Sequence, residues 1–306
     1  MSSEFKNKPV IVKRQGQRPG PTLVVMAGVH GNEKIGVMAL KEAIQAIPIK
    51  AGVVFYVIAN PLALEREQRL IDMDLNRAFK DDKKLSSEEK RSYERGLAKQ
   101  LMPYLDKADA LLDLHSVPTA PATPFVICEK NGMDIARKLP LPVRSSGWDK
   151  VHSGSTDGYM NERDKIGICV ECGQYNDPQV LDRSLQSIKI FLALMGVIKE
   201  KQSFDDYAGQ RVVMVDYIYR CQSYFNLVRE IPDFTTVKRG EMIGIDTKKK
   251  IEAPYDGVIV LVKEARRPGE EAFVMGREMS VRPGTPRRCG GGKNAGAGGQ
   301  RGRCGE

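Results

Sequence analysis

Two residues three positions apart, His30 and Glu33, bring metal-ligating atoms within reach of one ion, and the flanking Gly28 and Gly31 allow the backbone a tight turn around them. An isolated H-x-x-E is common, so the rest of the chain has to supply its meaning. The 306 residues contain only three histidines, and a second one, His115, follows the apolar run ALLDL. His30, Glu33 and His115 together make a two-histidine, one-carboxylate set, the ligand type of catalytic zinc sites that keep a fourth position for water. Asp113 reads equally well as an acceptor for the far nitrogen of an imidazole and as an inward polar group at a strand end. Glu171, after the run ICV, is the natural general base for the attacking water. On position alone it is more simply an ordinary acid closing a strand.

These side chains need elements that end at one place. The apolar run at 22–27 precedes the glycine-flanked loop, and a helical period over 35–47 follows it until Pro48. A strand apolar on both faces follows at 52–59, which predicts a strand–helix–strand unit of parallel sheet. Residues 9–14 read as a further strand, as do 110–114, 125–128 and 166–170. Ser86 and Glu89 form a capping box for a helix running to about 105, and another helix covers roughly 178–198. The intervening stretch LALEREQRLIDMDLNRAFKDD mixes charge and apolar residues in the manner of a long ordered loop. The pattern predicts an α/β fold, a mixed and mostly parallel sheet with helices on both faces, over residues 1–203. In such sheets ligands collect at the carboxyl ends of the strands, where His30, His115 and Glu171 all fall. From 204 to 281 short β-like pieces predict a smaller all-β domain.

In this order, GVHGNE at 28–33, Arg69 seven residues before Asn76-Arg77, DLH ending at His115, and Glu171 before Cys172-Gly173 resemble the motifs of the succinylglutamate desuccinylase and aspartoacylase family, zinc deacylases related to the metallocarboxypeptidases. The resemblance implies a zinc-carboxypeptidase-like fold with a barrel-sandwich-like C-terminal domain. It implies one Zn2+ per chain on His30, Glu33 and His115, with Glu171 as general base and acid. Arg69 would polarise the scissile carbonyl, and Asn76 and Arg77 would bind the substrate's carboxylate. Arg163 is the nearest match to a further substrate arginine upstream of the catalytic glutamate. Where one subgroup carries a C-terminal tyrosine, this chain reads EEAFVMGR. The implied partner is a small N-acyl amino acid whose amide bond is hydrolysed. A metallocarboxypeptidase for short peptides and a non-catalytic zinc-binding protein of the same fold are the alternatives.

Composition narrows the classes. The chain is 41% apolar and 28% charged, the balance of a soluble globular protein, with no apolar run long enough for a membrane span and no signal-peptide pattern. Six scattered cysteines form no disulfide framework, and the expected location is the cytoplasm. Of the net charge of +9, the segment 282–306 carries +5 and holds nine of the 29 glycines. That Gly/Arg-rich tail reads as disordered, and without aromatic residues among its arginines it makes nucleic acid an unlikely partner. Cys169 and Cys172 read as core thiols, and His152 as a surface histidine or one at a site mouth. Lys248, before the turn APYDG, resembles a lipoyl attachment point; an unmodified barrel-like domain is preferred. The sequence leaves the oligomeric state open, a homo-oligomer included.

Overall fold

The computed structural model describes residues 8–117, 122–199 and 203–280. The Gly/Arg-rich tail lies outside them. In chain order the first part comprises β1 (Val10–Gln15), β2 (Arg18–Ala27), α1 (Lys34–Ala46), β3 (Ala51–Ile58), α2 (Pro61–Arg66), α3 (Ser87–Arg91), α4 (Tyr93–Lys107), β4 (Ala110–Val117) and β5 (Phe125–Cys128). It continues with α5 (Met133–Ala136), β6 (Val143–Ser146), α6 (Trp148–Val151), α7 (Thr156–Asn161), β7 (Ile166–Gln174) and α8 (Val180–Leu194).

β2 explains the layering. Its side chains alternate in direction, so Leu23, Val25 and Ala27 pack into one apolar cluster with α1 and α8. Val24 and Met26 pack into a second cluster with Leu97, Leu101 and Leu105 of α4. Each fully buried Leu, Val or Met among them contributes about 1.5–3 kcal/mol. A run apolar on both faces therefore requires helices on both sides. β3, β2, β4 and β7 lie side by side in parallel, while β1 joins β3 and β5 joins β7 in antiparallel fashion.

The capping box at Ser86 and Glu89 is present, but it opens only the five residues of α3. Ser92 then adopts an extended conformation and starts α4 anew, its hydroxyl accepting from the Arg95 amide. The polar stretch after β3 is ordered, and it includes the helix α2 where the sequence pattern predicts a loop.

The remaining strands are β8 (Arg211–Arg220), β9 (Phe225–Leu227), β10 (Thr235–Val237), β11 (Met242–Asp246), β12 (Lys249–Glu252), β13 (Gly257–Val260) and β14 (Glu271–Glu278). β8 pairs in parallel with β6, and β14, β13 and β10 follow it, so the main sheet runs through eleven strands. β12, β11 and β9 form a separate three-stranded antiparallel sheet. One apolar cluster contains Phe125, Trp148 and Cys169 together with Val213, Val258 and Val274, so the two parts share a core. Lys248 sits exposed in the β11–β12 turn.

Candidate active site

The three-strand centre of the sheet brings the histidines and carboxylates together. Ala27 of β2 pairs with Leu114 of β4, and His115 pairs with Glu171 of β7, so their carboxyl ends are level. Past Ala27 the chain turns at Gly28, whose φ of +66° favours glycine. Gly31 runs against α2 so closely that an added Cβ would lie 2.0 Å from the Ala63 carbonyl carbon. This turn delivers His30, and Glu33 sits at the N-cap of α1, pointing to the same place.

His30, Glu33 and His115 are all buried, and one ligand atom from each lies within 4.8 Å of the others. The Glu33 carboxylate bridges the rings, with Oε1 2.7 Å from His30 Nδ1 and Oε2 3.1 Å from His115 Nδ1. Each far ring nitrogen meets a second carboxylate: His30 Nε2 is 3.1 Å from Asp74 Oδ1, and His115 Nε2 is 3.1 Å from Asp113 Oδ2. Asp113 also accepts from Thr156 Oγ1 at 2.5 Å. Two imidazoles and a carboxylate, each imidazole steadied from behind by an acid, fit a divalent metal such as zinc. Burial raises the Glu33 pKa, but both histidines outweigh it and hold the carboxyl below the usual range.

Glu171 faces this cluster. Its Oε2 is buried without a hydrogen-bond partner among the described residues, and burial pushes its carboxyl up to about 7, with His115 pulling the other way. A carboxylate poised there can hold or release a proton near neutral pH.

The loop after α2 supplies the other groups. Arg69 donates to Glu33 Oε1 and to Asp74 Oδ2, both at 3.3 Å, while its side chain remains 43% exposed and open to the cavity. Asn76 Nδ2 is 3.4 Å from His115 Nε2. Arg77 donates to the Asn76 carbonyl at 2.9 Å and, through Nη2, to both oxygens of Glu271 at 3.1 and 3.3 Å. The loop is fixed from behind by Glu94 of α4, a fully buried carboxylate accepting from the amides of Ile71, Asp72 and Met73 and from Asn60 Nδ2.

His30, Glu33, Arg69, Asn76, Arg77, His115 and Glu171 line one cavity of about 210 Å3. Arg163 is not among them. Its guanidinium stacks 3.4 Å over the Tyr159 ring and pairs with Asp106, beside the start of β4. That end of the strand is opposite the cavity. His152 is buried, not on the surface, and lies in the cavity against Trp148. Cys169 is a core thiol that also reaches the cavity wall. Sequence reading missed Asp74, Glu94, Lys263 and Glu271. Asp74 was within sight, since its motif had been singled out for its neighbours. Glu271 lay in the stretch EEAFVMGR, with no local sign of a partner 194 residues away.

A family model described as the succinylglutamate desuccinylase/aspartoacylase catalytic domain matches residues 19–195. A Prochlorococcus marinus (strain AS9601) protein named "Probable aspartoacylase" is 24% identical over 265 residues, covering 77% of this chain and 84% of that protein. The N-acyl-aromatic-L-amino acid amidohydrolase (carboxylate-forming) of Xenopus tropicalis is 34% identical over 113 residues, 34% of this chain and 36% of that one. The crystal structure of succinylglutamate desuccinylase from Vibrio cholerae has a TM-score of 0.73 at 20% identity, covering 90% of this chain and 87% of that chain.

Proposed function

The chain belongs to the succinylglutamate desuccinylase/aspartoacylase family, and from that membership we propose that it is a zinc-dependent amidohydrolase cleaving the acyl group from a small N-acyl amino acid. The observation that carries this reading is the buried His30, Glu33 and His115 cluster facing Glu171, whose Oε2 has no partner among the described residues. Zinc held by the three ligands would supply Lewis acidity for activating water and polarising the amide carbonyl.

The chain's own residues account for the rest. Glu171 takes the proton from the attacking water as its oxygen adds to the carbonyl carbon, then passes that proton to the leaving nitrogen. Arg69 places a guanidinium where the carbonyl oxygen gains negative charge, held in position by Glu33 and Asp74. The C–N bond breaks, leaving an acid and a free amine. Asn76 and Arg77 hold the amino-acid carboxylate, Arg77 through the donors it does not spend on Asn76 and Glu271. Arg163 has no part in this scheme. A cavity of about 210 Å3 walled by both parts of the chain favours a small substrate over a peptide. Four free, buried cysteines among the described residues support placing the protein in the cytoplasm.

The test is hydrolysis of N-acetyl amino acids and of dipeptides by the same sample, before and after chelation and after zinc is restored. Turnover of the N-acetyl compounds that is lost on chelation and regained with zinc is expected. Turnover of dipeptides alone would give the site to a carboxypeptidase, and no turnover of either would leave the non-catalytic reading.

A further inference from the structure

We propose that this site selects substrates bearing one carboxylate and an apolar group, and rejects those with a second carboxylate, because Glu271 offsets Arg77 and much of the remaining cavity lining is apolar. This rests on the deacylase reading above and narrows it to a substrate class.

The cationic side of the cavity is already matched by fixed acids. Both terminal nitrogens of Arg69 are engaged, by Glu33 and by Asp74. Lys263 lies 4.0 Å from Glu270. Arg77 meets Glu271, whose Oε1 also accepts from Arg220 at 2.8 Å and whose Oε2 lies 2.8 Å from His152 Nε2, off the line of a hydrogen bond. Two guanidiniums share one carboxylate there, leaving a single positive charge over. That is enough to attract one incoming carboxylate at Arg77, and a second would have to compete with Glu270 for Lys263.

The apolar part of the lining offers no alternative. Ile127, Trp148, Cys169, Leu261, Phe273 and Val274 form it. Phe125 stacks behind Trp148 at 6.0 Å between ring centroids, and this wall is continuous with the core shared by both parts of the chain. A carboxylate pushed against these side chains would lose its water and gain no donor. The acids that reach the same cavity, Asp157 and Asp233, would repel it. An alkyl or aryl group would instead exchange water for carbon contacts. That group can sit on the amino-acid side chain or on the acyl chain; either presents the same surface to the wall.

The experiment measures kcat/KM of the zinc-loaded full chain for N-acetylglycine, N-acetyl-L-leucine, N-octanoylglycine, N-acetyl-L-aspartate and N-acetyl-L-lysine. N-acetyl-L-leucine or N-octanoylglycine should exceed N-acetylglycine by about tenfold or more, the usual scale of discrimination by an apolar pocket, and whichever of the two gains tells which side of the amide meets the wall. N-acetyl-L-aspartate should fall below N-acetylglycine. In Glu271→Gln the aspartate-to-glycine ratio should rise about tenfold, and in Ile127→Asn the leucine or octanoyl advantage should shrink, each as a ratio within one variant so that a loss of folding cancels. The aspartate or lysine derivative as best substrate, or an unchanged ratio in Glu271→Gln, would overturn the selection. The same compounds, tested as ligands that raise the thermal midpoint of the zinc-loaded Glu171→Gln protein, report selection without turnover. Apolar ligands stabilising without any hydrolysis in the wild type would keep the selection and remove the deacylase reading, whereas hydrolysis without the preference would do the reverse.

Discussion

Glu171 is useful because its carboxylate is not satisfied. Asp74 and, through Oδ2, Asp113 are tied to the histidines behind the cluster, whereas Glu171 faces the cavity with an Oε2 that, like Asp113 Oδ1, is buried without a partner among the described residues. Burial raises its pKa to about 7. A general base works only when ionised, so kcat/KM should fall as pH drops through an apparent pKa at or below about 7, since a cation in the neighbouring cluster would lower that value. A kcat/KM that shows no acid-side fall down to the pH at which the protein unfolds would exclude Glu171 as the base. For Arg69, replacement by Ala should lower kcat by about 10²–10³, the usual worth of an oxyanion donor, with a smaller effect on KM. Replacement by Lys should recover only part, because one ammonium cannot meet Glu33 and Asp74 as a guanidinium does.

The loop of residues 67–80 is the element on which the substrate groups depend. Its motif RLIDMDLNRAF was legible because charged and apolar residues alternate too closely for either a linker or a core segment. Its anchor was not: Glu94 is sited 21 to 23 residues further along, on a helix, and nothing in its neighbours announces that it collects three amides of another element. Glu94→Ala should leave those buried donors unmet and cost about 3 kcal/mol or more, seen as a drop of several degrees in Tm, with KM raised even where the protein remains folded. An unchanged KM would mean that the loop holds its shape without the clamp. The first strand–turn–helix, by contrast, could be read closely, although β2 begins at Arg18, four residues before the apolar run. An apolar run, two glycines and a helical period closed by Pro48 are all local signals, whereas α2, the break at Ser92 and the short elements α5, β6, α6 and α7 lie in stretches too short to show a period.

At the scale of the whole molecule the change of texture near residue 204 marks a second unit in sequence. We propose that residues 204–281 are such a unit without folding independently of the first. β8 extends the main sheet beside β6, and Glu271 and Phe273 of β14 face the cavity. Pairings of this kind join residues far apart in the chain, for which a single sequence holds no local trace; this is also why Glu271 is not legible as a cavity residue. A fragment ending at residue 203 should expose the β6 edge and half of the core around Phe125 and Trp148, and so should aggregate or unfold. A soluble, cooperatively melting fragment would argue for two separable domains.

The central claim is that His30, Glu33 and His115 hold zinc for a reaction in which Glu171 moves the proton. It is tested most directly by measuring zinc content and N-acetyl amino-acid turnover together on Glu171→Gln, with His115→Ala alongside. The account predicts that Glu171→Gln keeps about one zinc per chain while kcat falls by about 10²–10⁴, and that His115→Ala loses both zinc and turnover. Turnover of Glu171→Gln at the wild-type rate, or full zinc content in His115→Ala, would contradict it.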